Sequence, residues 1–248
     1  MATIHPLSEG VFTVGHDKQF VPFNENTEVL TDRPTGSLLV EVQPFLVVTE
    51  KDVMILDTGL GFREKDGELQ IRSNLKKCGY EPEEVTKVLL SHLHKDHVNG
   101  AVYSDLNGIV HTTFPSADYF IYRAEADYAL QHEGTSYPKK EVEELLSSKQ
   151  VKWLDGEEGF IDGYIKFMHS GAHCPQHIVF LIDDGTDKLF YGGDEAPQLK
   201  QMKMRYIARY DYDGKKAMAL REEYAKTGKE QDWQFLFYHD VKTPVAKL

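Results

Sequence analysis

No run of apolar residues in this chain approaches the roughly 18 needed to cross a bilayer, and the opening Met1-Ala-Thr-Ile-His-Pro-Leu-Ser8 carries neither the basic nor the apolar region of a secretion signal. Membrane insertion and secretion are not expected. Cysteine is scarce: Cys78 and Cys174 are the only two, too few for a disulfide framework, and they point to a reducing, cytoplasmic setting. Positive charge is short as well. There are 28 lysines and arginines against 40 aspartates and glutamates, a formal net charge of -12. The densest basic stretch, Lys200 to Arg209, has only Lys200, Lys203, Arg205 and Arg209. A polyanion binder needs a positive face that releases counterions, so nucleic acid is a poor partner. Low-complexity linkers are absent too. Polar stretches around Arg63 to Glu68 and Glu133 to Pro138 are loop-sized.

What is present is an enzyme-sized globular chain. Its 248 residues, 41% hydrophobic and 27% charged, suit one domain over 1–248 with a substantial core. Apolar runs over Gly10 to Gly15, Ser37 to Thr49 and Val53 to Asp57 read as strands, with Pro44 breaking the second. A helix is expected near Asn74 to Gly79, then strand Lys87 to Ser91, strand Asp118 to Tyr122, and helices Glu125 to His132 and Lys139 to Lys149. Strands follow at Phe160 to Met168, Ile178 to Ile182, Lys188 to Tyr191 and Trp233 to Phe237, with a helix over Gly214 to Thr227. One echo links the halves. Apolar strands end at Asp57 and before His92 in the first half, and at Asp194 and His239 in the second.

The chemistry concentrates in His92-Leu-His94-Lys-Asp96-His97. Two residues apart in extended chain, His92 and His94 point the same way and can grip one ion. Asp96 repeats that step, and His97 breaks it. Four donors in six residues suit two neighbouring ions better than one. The bland alternative is a polar turn in which Asp96 caps the following helix. Two sites need further donors. His173, favoured as a ligand, lies in the turn-like Ser170-Gly-Ala-His-Cys-Pro-Gln-His177, where His177 reads at least as well as a supporting or core histidine as a direct ligand. Asp194 follows Gly192 and Gly193, which allow close backbone approach, and its carboxylate could bridge two cations. His239 closes the set. Imidazole-rich ligation with some carboxylate favours zinc, with iron, manganese and cobalt as alternatives.

In this order, an Asp at a strand end, HxHxDH, a later His, a Gly-Asp and a final His, the chain resembles the metallo-β-lactamase superfamily. The resemblance spans residues 57 to 239. It implies an α/β fold, a four-layer αββα sandwich with a dimetal site at one edge of the sheets. It also implies a division of ligands: His92, His94 and His173 on one ion, Asp96, His97 and His239 on the other, Asp194 bridging, and Asp57 orienting the site. Gly79-Tyr-Glu-Pro-Glu-Glu-Val85 and Phe114-Pro-Ser-Ala-Asp118 are similar to the branch with acyl-homoserine lactonases and methyl parathion hydrolase. Where that branch has Gly-His-Thr-Pro-Gly-His, this chain has Ala172-His-Cys-Pro-Gln-His177. Where the lactonases carry a tyrosine three residues after the bridging aspartate, it has Pro197, which weakens a lactonase reading. Tyr206, Tyr210 and Tyr212 follow and could offer a hydroxyl.

The implied activity is hydrolysis of a small-molecule ester, lactone or related bond by a metal-bridging hydroxide, with Asp96 and Asp194 as catalytic carboxylates moving a proton to the leaving group. A glyoxalase-like thioesterase would need a C-terminal helical extension, and nine residues follow His239. A nuclease would need a basic face. A silent metal-binding or ligand-sensing module remains the competitor outside enzymes. Cys174 reads as a small buried residue rather than a zinc thiolate or redox handle, and the aromatics Tyr119, Phe120, Tyr122 and Tyr128 as core or pocket wall. Self-association into a homo-oligomer is left open.

Overall fold

The strands of this chain are apolar on both faces, and the architecture follows from that. In the computed structural model, which describes residues 2–132 and 134–248, two six-stranded sheets pack face to face. The first runs in spatial order Thr3–Pro6, Phe45–Val48, Val53–Leu56, Lys87–Leu89, Asp118–Tyr122 and Val151–Leu154. The second runs Glu158–Ile161, Ile165–His169, Ile178–Asp183, Lys188–Tyr191, Gln234–Leu236 and Val245–Ala246. Alternate residues of one strand serve different layers. Phe45, Val47, Met54 and Leu56 meet Phe180, Leu189 and Tyr191 between the sheets, while Leu46 and Ile55 face outward into a second core. In the other sheet Ile178 and Phe180 point inward, and Val179 and Phe190 outward.

Helices cover both outer faces and complete the four layers. Gln70–Lys77, Arg123–Gln131 and Lys139–Leu146 place Ile71, Leu75, Ala126, Ala129, Val142 and Leu145 on the first sheet. Gly214–Glu230 lays Tyr224 on the second, against Phe190 at 4.7 Å between ring centroids. Gly228 lets this helix approach: a Cβ there would fall 2.3 Å from the Phe235 ring. The expected αββα sandwich is observed. Among the described residues, no helix is long and apolar enough to cross a membrane.

Most expected elements appear within a few residues, and two differ. The first helix begins at Gln70, four residues before Asn74, because Ile71 and Leu75 share one buried face. The run Phe160 to Met168 is not one strand. Asp162 and Gly163, both with positive φ, turn it into an antiparallel hairpin pairing Ile161 with Ile165. Of the loop expected at Glu133 to Pro138, Glu133 lies outside the described residues.

Each sheet contains parallel strand pairing, and this positions the site. Ile55 pairs with Val88 in one and Phe190 with Phe235 in the other. Parallel strands end on the same edge, and in open α/β sheets that carboxyl edge is where ligand sites form. Asp57 follows Leu56, His92 follows Lys87–Leu89 by three residues, Asp194 follows Tyr191 by three, and His239 follows Leu236 by three. The echo between the halves is therefore one of position on the sheets.

Candidate metal centre

The six-residue cluster is only partly extended. His92, Leu93 and His94 lie in irregular chain, and a short helix, Lys95–Val98, begins at Lys95 and carries Asp96 and His97. The expectation that Asp96 continues the extended two-residue step is thus corrected: a helical turn separates Asp96 and His97 from His92 and His94 and aims them at a second group of donors. Asp96 does not cap that helix; His94 occupies the cap position without a side-chain cap bond. Gly100 permits the tight return of the chain, since a Cβ would fall 1.9 Å from the Thr58 carbonyl oxygen.

The structure gathers the seven candidate donors into two adjoining groups, His92, His94, His173 and Asp194, and Asp96, His97 and His239. In the first, His94 Nδ1 lies 2.9 Å from His92 Nε2 and 3.2 Å from His173 Nε2. In the second, His239 Nε2 and His97 Nε2 lie 3.5 and 3.6 Å from Asp96 Oδ2. Asp194 joins the groups with a different oxygen for each. Its Oδ2 is 3.2 Å from His173 Nε2, and its Oδ1 is 3.2 Å from His97 Nε2 and 2.9 Å from His239 Nε2.

These spacings fit divalent cations. Tetrahedral donors about 2.0–2.1 Å from one zinc ion stand about 3.3 Å from each other. Buried polar atoms normally find hydrogen-bond partners, yet His97 Nε2 and Asp194 Oδ1 have none. The charges agree. Burial and the neighbouring imidazoles push His92 and His94 well below the usual histidine range, leaving them neutral as ligands must be. Burial opposes a charge on His97, but Asp194, Asp96 and Asp57 outweigh it and hold the group well above that range. The same balance, led by Asp194, raises His173 and His239. Asp194 is drawn well below the carboxylate range: burial works against this, and His239, His173 and His97 prevail. The carboxylates demand positive charge at this point, and the donor set suits two divalent cations of the zinc type.

A second ring of contacts orients the imidazoles by their other nitrogen. Asp57, fully buried with φ of 54°, accepts from the Ser91 amide at 2.8 Å through Oδ1, and its Oδ2 receives the Ser91 hydroxyl at 2.7 Å, the Tyr191 hydroxyl and His97 Nδ1 at 2.7 Å. Ser91 Oγ, its proton committed to Asp57, accepts from His92 Nδ1 at 3.0 Å. His239 Nδ1 donates to the Glu41 carbonyl at 2.6 Å, and Tyr238 donates to the Asp96 carbonyl at 2.6 Å. His173 Nδ1 faces Asp211 Oδ1 at 3.1 Å, and Arg221, 1% exposed, stands 3.6 Å from the other Asp211 oxygen. Sequence reading missed Asp211 and Arg221. The only available signal was the acidic density of Asp211-Tyr-Asp213, which equally marks a polar loop.

The remaining candidates separate by burial. His177 is fully buried with Nδ1 on the Ser170 hydroxyl at 2.9 Å and its ring 4.9 Å from His92, so it packs behind the first group. Cys174 is buried with its thiol 3.7 and 3.8 Å from the two Glu125 oxygens. Tyr206 and Tyr212 are exposed, whereas Tyr210 is half-buried with its ring 6.0 Å from His173. Tyr119 and Tyr122 are core, and Tyr128 stands 5.8 Å from Tyr137, whose ring meets His94 at 4.7 Å.

A sequence profile described as the metallo-beta-lactamase superfamily matches residues 39–228. An N-acyl homoserine lactonase from Bacillus sp. is 27% identical over 64% of this chain, which spans 65% of that protein. One from Bacillus cereus is 23% identical, covering 84% of this chain and 85% of its own. Among solved structures, a probable metal-dependent hydrolase from Staphylococcus aureus aligns with a TM-score of 0.79 at 21% identity, covering 99% of this chain and 92% of that one. The dizinc quorum-quenching lactonase AidC, solved with the product N-hexnoyl-L-homoserine, aligns at 0.75 and 20% identity, covering 99% and 90%. At these identities the structural likeness concerns the fold.

Proposed function

Because the chain belongs to the metallo-β-lactamase superfamily of metal-dependent hydrolases, we propose that it hydrolyses a small-molecule ester, lactone or related bond at a two-cation centre, with residues 1–248 acting as one domain. The observation that carries this reading is Asp194, whose Oδ2 lies 3.2 Å from His173 Nε2 in the first group while its Oδ1 lies 3.2 and 2.9 Å from His97 Nε2 and His239 Nε2 in the second. A carboxylate divided in this way belongs between two ions.

Two zinc ions, when bound, supply a water acidified toward neutral pH as nucleophile and a Lewis acid for the substrate's carbonyl or phosphoryl oxygen. The chain's own residues do the rest. Asp57 and Ser91 hold the protons of His97 and His92 on Nδ1, so that each Nε2 faces the centre as a lone-pair donor. Asp211 does the same for His173. Asp96 and Asp194 are the carboxylates placed to accept a proton from the nucleophilic water and return it to the leaving oxygen. Tyr137 and Tyr210, packed beside His94 and His173, exclude bulk water on that side. The names of the relatives favour a lactone among the candidate bonds, and Pro197, whose carbonyl accepts from the His239 amide at 3.0 Å, offers no hydroxyl to it.

The test is a panel of aryl esters, lactones and organophosphates offered to purified protein with and without chelator. Turnover of at least one class that chelator abolishes and zinc restores is expected. Absence of chelator-sensitive turnover on every member would favour a sensor. Asp96→Asn should remove most turnover while leaving thermal unfolding cooperative. An Asp96→Asn protein with full metal content and full activity would overturn the role given to that carboxylate.

A further inference from the structure

Glu125 has no part in the hydrolysis described above, yet it lies fully buried behind the first donor group. It sits in the first turn of the helix Arg123–Gln131, on the outer side of the first sheet. Three separate segments converge on its carboxyl. The Leu93 amide, between His92 and His94, donates to Oε1 at 3.0 Å. The Cys174 thiol, one residue after His173, lies 3.8 and 3.7 Å from Oε1 and Oε2. The Tyr137 hydroxyl lies against the same carboxyl, and the Tyr137 ring meets His94 edge-on at 4.7 Å. Each segment carries or touches one of His92, His94 and His173. The second donor group is oriented by other residues, His97 by Asp57 and His239 by the Glu41 carbonyl.

We propose that Glu125 is a positioning residue for the His92, His94 and His173 group alone, one carboxyl that fixes the backbone between the first two histidines, the ring packed on the second and the turn bearing the third. Cys174 thereby acquires a role, its thiol joining the Leu93 amide as a hydrogen-bond donor to Glu125. The inference rests on the two-cation reading of the centre. Removing a partner that orients metal ligands costs about 10–100-fold in metal affinity. Glu125 should impose that loss at one position and spare the other.

Zinc affinity is read by calorimetric titration of chelator-treated protein in two backgrounds, His239→Ala to isolate the first group and His173→Ala to isolate the second. Glu125→Ala should weaken binding about 10–100-fold in the first background and change it less than threefold in the second. Glu125→Gln should restore most of the loss, because its carbonyl still accepts from Leu93 while the Tyr137 and Cys174 side chains can accept from its amide. Equal affinity with and without Glu125, or equal loss in both backgrounds, would overturn the proposal. Should Glu125→Ala not fold, the paired change Tyr137→Phe and Cys174→Ala, which leaves the carboxyl in place, should weaken the first position only, and an unchanged first position would overturn it. Wild-type protein that binds fewer than two zinc ions would instead overturn the two-cation reading itself.

Discussion

Asp57→Asn tests the orientation of the imidazoles with the least disturbance elsewhere. Asparagine tolerates the left-handed backbone at this position, φ 54°, so the change falls on the side chain. The amide oxygen, placed at Oδ1, keeps the Ser91 amide bond. The amide nitrogen, placed at Oδ2, meets the Ser91 and Tyr191 hydroxyls and His97 Nδ1. Both hydroxyls can rotate to accept. His97 Nδ1–H cannot, and it must surrender its proton to Nε2, the atom aimed at Asp96 and Asp194. Reversing the Ser91 hydroxyl has a similar effect on His92. One charge-assisted hydrogen bond is lost, about 1.5–3 kcal/mol, which for a chain of this size lowers Tm by roughly 3–12 °C. Zinc affinity should fall at least 10–100-fold at both positions. Metal content after dialysis against buffered zinc, with a thermal melt on the same sample, measures both. Full zinc occupancy at wild-type affinity would refute the tautomer argument.

Three other outcomes are expected. Glu9 accepts from the Leu60 amide at 2.6 Å, and burial pushes its pKa up to about 8 from 4.5. A raised carboxyl stabilises the fold fully below pH 4.5, and this contribution is lost as pH climbs through 8, so Glu9→Gln should be the more stable protein at pH 8 and above by up to roughly 5 kcal/mol, with no gain at pH 4, in urea unfolding. Gly228→Ala should destabilise by about 1–3 kcal/mol despite better helix propensity, because its methyl would meet Phe235 at 2.3 Å; a raised Tm would contradict the close packing. Tyr238→Phe, which leaves the Asp96 carbonyl without its donor, should cost about 1–3 kcal/mol in stability by chemical denaturation, and an unchanged midpoint would show that water replaces the hydroxyl.

The sequence made legible those parts of the centre that obey local rules. Asp57, Asp194 and His239 stand just beyond apolar strands, and the spacing from His92 to His97 is dense enough to read without coordinates. The orienting residues follow no such rule. Asp211 lies 38 positions from His173 and meets it only because the chain folds back. Arg221 sits in a charged helix, where pattern assigns it to solvent. It is buried because it answers Asp211 and donates to the Glu195 and Tyr206 carbonyls at 3.2 and 2.7 Å. Glu125 likewise reads as an ordinary acidic first-turn residue. Tertiary proximity chose these partners, and it leaves no periodicity behind. The hairpin at Asp162 was hidden for a different reason: a three-residue turn, Asp162 to Tyr164, that itself ends on an aromatic barely interrupts the run.

The two parallel strand pairs release their chains at the same edge of the sandwich, so ions held by His92 to His97 on one side and by Asp194 and His239 on the other would stitch the two sheets together there. Anything that binds only the native state adds to its stability in proportion to the logarithm of its free concentration. Resistance to proteolysis would then report zinc supply, and a metal-starved chain should be cut first at the loops of that edge, with its apolar layers still folded.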